Sequence, residues 1–200
     1  MQFQLTTWTA AVLATQTNRV EHHGDDHVPA VTLGFRITGP NTILDEFGDK
    51  LDIRHGLYMA PPDQEQLEGI DNTPLLRTPG IEHLKLKVPA LEGWRLMIDH
   101  GIDEGDPIEL HDCTVKKFHL EPFQGGSCEL SFIVSTSDVD ATYLGLIGMK
   151  LGQEVQIQLL APVPAQEPID GSPDGGGPGF EGDDEPDAGT LFAAEHAEAE

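Results

Sequence analysis

Residues Ile108–Ala161 read IELHDCTVKKFHLEPFQGGSCELSFIVSTSDVDATYLGLIGMKLGQEVQIQLLA, and the periodicity of this stretch decides the fold class. Cys128, Leu130, Phe132 and Val134 share one parity, with Glu129, Ser131 and Ile133 on the other, the pattern of a half-buried strand. The preceding stretch, Leu110–Leu120, changes phase: Cys113 and Val115 have one parity, Phe118 and Leu120 the other. Either a β-bulge near Lys116-Lys117 resets the pattern or both faces are partly covered. Gln124-Gly125-Gly126-Ser127 supplies the positive-φ positions of a hairpin turn. After it the period lengthens. Ser137 with Asp140 predicts a capping box, and Val139, Tyr143, Ile147 and Leu151 recur on one helical face. Gly152 stands where a helix C′ glycine belongs, and Val155, Ile157 and Leu159 alternate again. The expectation is a ββαβ unit at 108–161.

The upstream sequence extends the β pattern. Phe3–Thr17 is rich in threonine, valine and aromatics, with a parity change that predicts a long strand bulged near Thr7. Arg19–His27 reads as a polar turn, and Val31, Leu33, Phe35 and Ile37 alternate strictly after it, which makes a hairpin with the first strand. Gly39-Pro40-Asn41 ends that strand, and Asn41 is a candidate cap for a short helical turn over Thr42–Phe47, unless the segment is an irregular crossover. Ile53–Met59 reads as a short strand and Pro61–Gly80 as a long surface excursion. Leu84, Leu86 and Val88 alternate with Lys85 and Lys87, as do Trp94, Leu96 and Ile98 beyond Ala90–Gly93, which predicts a second hairpin. Gly101–Pro107 is an acidic turn.

Charge bounds the function. The chain of 200 residues has 11 Lys and Arg against 35 Asp and Glu, a formal charge of −24. All the bases lie between Arg19 and Lys150; with 24 acids up to Pro162, the folded part stands at −13, and the other 11 acids follow without a base. Such a chain repels phosphate, so charge disfavours nucleic acid as a partner. A basic face would need Lys85, Lys87, Arg95, Lys116 and Lys117 to be gathered by the fold. The start, MQFQLTTWTAAVLATQT, lacks a basic n-region and no run of eighteen apolar residues occurs, so neither a secretory signal nor a membrane span is expected and the location reads as cytosolic. Cys113 and Cys128 sit too far along the hairpin for a bridge and read as buried, reduced thiols.

Chemistry-bearing groups are sparse. His22, His23, Asp25, Asp26 and His27 form the one dense set of metal-capable side chains, but their spacing matches no zinc or calcium loop, and a solvated hairpin tip explains them. His55, His83, His100, His111 and His119 are dispersed among strands. Cys113 neighbours His111 and His119, although a buried structural thiol is the commoner reading. No phosphate-binding glycine loop, dinucleotide fingerprint or nucleophile elbow is present. No cofactor and no catalytic residue is expected.

From Pro162 the composition becomes Gly, Pro and acid, the signature of a disordered segment. A spacer, an acidic block containing Asp183, Asp184, Glu185 and Asp187, and the apolar pair Leu191-Phe192 resemble the partner-recruiting tails of bacterial single-stranded-DNA-binding proteins, except that Glu195–Glu200 follow the phenylalanine. The whole chain, with phrases such as LTTWTA and RITGPNT, resembles small acidic proteins of phage and prophage genomes, which implies no activity.

The fold expected is mainly β: an antiparallel sandwich or small barrel at 1–162 with one packed helix, then a disordered tail at 163–200. The function expected is non-enzymatic, a cytosolic interaction protein that acts on a protein partner through an acidic surface able to mimic nucleic acid. The alternatives are a single-strand-binding module, which needs Trp94, Phe123 or Tyr58 exposed beside Lys85, Lys87 and Arg95, and a decoration component of a particle.

Overall fold

In the computed structural model, the described residues are 3–23, 26–48, 52–59, 74–99, 101 and 106–162, with the backbone alone at His22, His23 and Asp26. The chain divides into two units, 1–163 and 164–200, and the described residues all belong to the first. The strands are β1 (Leu5–His23), β2 (Asp26–Pro40), β3 (Tyr58–Met59), β4 (Leu75–Leu76), β5 (Leu84–Lys85), β6 (Leu91–Asp99), β7 (Ile108–Pro122), β8 (Ser127–Thr136) and β9 (Glu154–Leu160). A 3-10 helix, Asn41–Phe47, and two α-helices, α1 (Ile53–Leu57) and α2 (Ala141–Met149), complete the described elements.

Six strands close on themselves in the order β1-β2-β8-β7-β6-β9, every pair antiparallel, with β5 added along β7. The pairing of β7 with β8 shuts the circle, so of the two expected architectures the closed barrel forms, not the sandwich. Closure gives every strand of the ring a neighbour on both sides and directs alternate side chains inward. Inside, Phe3 stacks within 4.6 Å of Phe47, 5.1 Å of Phe118 and 5.7 Å of Phe132. Tilted and edge-on ring pairs of this kind add about 0.5–1.5 kcal/mol each beyond area burial. The 3-10 helix contributes Leu44 and Phe47 to the same core, so it stoppers that end of the barrel.

The phase changes in the sequence are bulges. Register slips between Leu5 and Thr9 on β1 and between Lys116 and His119 on β7, where Lys117 takes a φ of 60°. Gly125 and Gly126 carry the positive φ of the β7–β8 turn, closed by Phe123 N–H donating to Ser127 at 2.9 Å.

Several local expectations fail. The Arg19–His27 segment is not a turn throughout: the β1–β2 ladder runs on through Val20–Pro29, Glu21–Val28 and His22–His27 to a His23–Asp26 pair. Ile53–Leu57 is helical, started by the Asp52 side chain, which accepts from the His55 N–H. Asn41 lies inside the 3-10 helix and makes no side-chain cap. Ser137 does not open α2; Asp140 does, accepting from Tyr143 N–H at 2.7 Å. The hairpin of β5 with β6 does not form. Leu84 instead faces Leu120 of β7, and β6 pairs with β7 and β9. The ββαβ segment runs in that order along the chain without forming one local sheet, since β9 pairs with β1 and β6. The expected tail lies outside the described residues.

Candidate functional site

A barrel filled with phenylalanine leaves its outer wall for contact with other molecules, and the sequence-predicted residues sort themselves on that wall. Lys85 faces His119 across the β5–β7 pair, and the Leu86 N–H donates to Phe118 at 2.9 Å, which carries Lys87 alongside Lys117. Lys85, Lys87 and Lys117 are all exposed, so the backbone sets out a strip of exposed lysines on this flank, with His83 facing Glu121 at 3.5 Å beside it. Arg95 is not part of it. It lies on β6 and holds Glu109 at 3.0 Å. The aromatic half of a stacking platform is missing: Trp94 is 3% exposed and Tyr58 4%, both packed into the core. Tyr58 spends its hydroxyl on the Ser127 carbonyl at 2.6 Å, and burial pushes its pKa up to about 12. Phe123 is half-buried at the β7–β8 turn.

The thiols are unsuited to nucleophilic work. Both cysteines are free and fully buried. Burial pushes Cys113 up to about 12 and Cys128 to about 11, so neither supplies thiolate near neutral pH. Cys113 donates weakly to the Leu110 carbonyl at 3.4 Å, while the His111 ring points outward to Glu109. Of the metal-capable set read as a solvated hairpin tip, Asp25 and the side chains of His22, His23 and Asp26 lie outside the described residues, and His27 is exposed. Elsewhere among the described residues, no three His, Cys, Asp or Glu side chains converge. Asp183, Asp184, Glu185, Asp187, Leu191 and Phe192 also lie outside them.

Two clefts flank the 3-10 helix. In one, Asp52 binds the His55 ring, which holds its carboxyl below the usual carboxylate range, and Arg54 Nε lies 2.9 Å from Asp45. Among the described residues the His–Asp pair faces no nucleophile there, and the Asp52 carboxylate also caps α1, so it reads as a helix start. The other is a groove of about 570 Å³ between the first half of β1, the end of β2 and the helix. Thr6, Thr9, Ile37, Thr38, Asp45 and Glu46 line it, and sequence reasoning did not single them out. The parity change at Thr7 and the proline at Pro40 mark the far end of the groove, whereas nothing in the sequence marks Val12 and Arg36, beyond which β1 and β2 cease to be partners.

No helix among the described residues is long and apolar enough to cross a membrane. Compared with known proteins, the chain matches no family model, no curated protein and no solved structure.

Proposed function

We propose that this chain is a non-enzymatic interaction protein of the phage type, which binds a protein partner in the cytosol through an acidic surface that stands in for nucleic acid. The observation that carries the reading is the distribution of charge on the wall. Arg19, Arg36, Arg54 and Arg95 each lie against a carboxylate, whereas Glu46, Glu82, Glu92, Asp106, Asp112 and Glu154 are exposed with no ion pair among the described residues. A basic protein surface, of the sort that holds phosphates, complements such an array. The field weakens over a Debye length of about 8 Å at physiological salt, so binding depends steeply on ionic strength.

The test is to immobilise the full chain, load host lysate at low salt, and elute with either a salt gradient or duplex DNA. A basic partner released by both is the expected result. Retention that ignores salt and DNA sinks the reading.

The lysine strip favours one second reading, single-strand binding by phosphate contact without base stacking. Gel shift with a labelled oligonucleotide at low salt decides it. The expected outcome for the favoured function is no shift at excess protein; a shift abolished by Lys85→Glu with Lys87→Glu would move the assignment to the strip.

A further inference from the structure

The barrel ring is closed in its pairing order but open along part of one seam. Pairing of β1 with β2 begins at Val12–Arg36 and proceeds toward the hairpin tip. Continued the other way, the same register would join Ala11 to Ile37, Ala10 to Thr38, Thr9 to Gly39 and Trp8 to Pro40, and none of these pairs forms. Both stretches are nevertheless strands, because β9 holds Leu5–Val12 and β8 holds Ile37–Pro40 from their other sides. Each therefore presents a free edge to the groove.

At the far end of the opening the β1–β9 ladder is bulged between Leu5 and Thr9, and Phe3 is drawn into the core against Phe47. On the other side Pro40 has no N–H to offer. Four missing pairs at about 3.4 Å per residue make an opening roughly 14 Å long, enough for a short extended segment.

We propose that this seam is a docking site for an extended basic peptide segment of a partner protein, which lies along it and bonds its backbone to the unpaired groups of β1 and β2. The inference rests on the acidic-surface reading above and assigns that reading a place. Three features fix the chemistry of the occupant. Unused backbone donors and acceptors on strand edges are satisfied by another strand, the mode of β-strand addition. The groove lining includes Asp45 and Glu46 and no lysine or arginine; Asp45 is engaged by Arg54, but Glu46 has no ion pair among the described residues. Trp8, on the same open stretch of β1 and beside the groove, not in its lining, is 42% exposed, an aromatic of the type that anchors interfaces at their rim.

The experiment uses the isotope-labelled full chain and three probes: acetyl-KVTVKVTV-amide, its acidic counterpart acetyl-EVTVEVTV-amide, and the basic peptide N-methylated at alternate backbone nitrogens. The expected result is that the basic peptide shifts the amide signals of Trp8, Ala10 and Thr38, whose N–H groups face the groove, and slows their hydrogen exchange, while Ala11 and Ile37, already bonded to β9 and β8, keep theirs. N-methylation should abolish these shifts, and Glu46→Lys should weaken binding roughly tenfold at low salt and favour the acidic peptide. Glu46 is exposed, and unchanged amide signals away from the groove check that the variant folds.

Shifts confined to another part of the surface would overturn the seam while leaving the acidic-surface reading standing. Equal binding of the N-methylated peptide would overturn strand addition. Seam amides already protected in the free protein, together with dimers in sedimentation, would make a second copy the occupant and overturn the proposal. Binding of neither peptide would overturn the seam alone, since salt and DNA elution of the partner test the broader reading.

Discussion

At the scale of single residues, two glycines of the same chain have opposite fates. Gly126 has a φ of 78°, and a Cβ there would stand 2.7 Å from the Pro74 ring. Gly126→Ala therefore meets both left-handed strain and a clash, and should cost about 2 kcal/mol or more in urea unfolding. Gly145 lies exposed inside α2 with nothing near its missing Cβ, so Gly145→Ala should add up to about 1 kcal/mol by helix propensity. If the two substitutions changed stability alike, the turn geometry argued for Gly126 would be wrong. The thiols give a pH signature. In the unfolded chain they ionise as pH passes about 9, while the folded chain keeps its protons until about 11 at Cys128 and about 12 at Cys113. The native state then binds more protons than the unfolded one, so stability falls as pH rises through this window. The urea midpoint should drop between about pH 8 and 10, below the range of the lysines. The double variant Cys113→Ala/Cys128→Ala, less stable throughout, should lose that slope, and an unchanged slope would assign it elsewhere.

At the scale of elements, α2 separates two readings of its start. Asp140 accepts from Tyr143 N–H, while Ser137 lies exposed before the helix. Asp140→Ala should cost about 1 kcal/mol and Ser137→Ala close to nothing, measured by thermal or urea melts. The reversed order would restore the capping box that Ser137 suggested. The contrast shows what was legible in the sequence. Strands announced themselves wherever one face was buried, and even the bulges near Thr7 and Lys116-Lys117 appeared as parity changes. Pairing partners did not. Leu84, Leu86 and Val88 alternate like any strand, but nothing in alternation says that β5 lies along β7 instead of the β6 that follows it. Likewise β9 joins Leu5 of β1 to Leu159, a pairing from opposite ends of the domain that no local signal carries. The candidate site suffered most, because a seam is defined by two strands that fail to meet. Trp94 and Tyr58 illustrate the same limit from the other side: composition located the aromatics, and only packing showed that they face inward.

At the scale of the whole molecule, stability depends on how charge is shared between ion pairs and general repulsion. The arginine pairs join side chains that remain half in water, as in Arg19–Glu21 at 3.5 Å and Arg36–Glu129 at 4.0 Å, so each contributes about 0–1 kcal/mol at most and less in salt. Against them stands a net charge of −24, whose mutual repulsion opposes the compact state and is itself screened by salt. The two effects have opposite signs in the same experiment. Because unpaired carboxylates outnumber the arginine pairs on the wall, relief of repulsion should win. The melting temperature should rise as sodium chloride is raised from about 20 to 300 mM, by a few degrees for a domain of this size. Charge neutralisation with Glu82→Gln, Glu92→Gln and Glu154→Gln should raise the low-salt value and flatten the dependence, since these three are exposed and bear no ion pair among the described residues. A melting temperature that falls with salt would mean that the ion pairs dominate and that the acidic wall is neutralised within the fold. It would then have little field left with which to hold a basic partner.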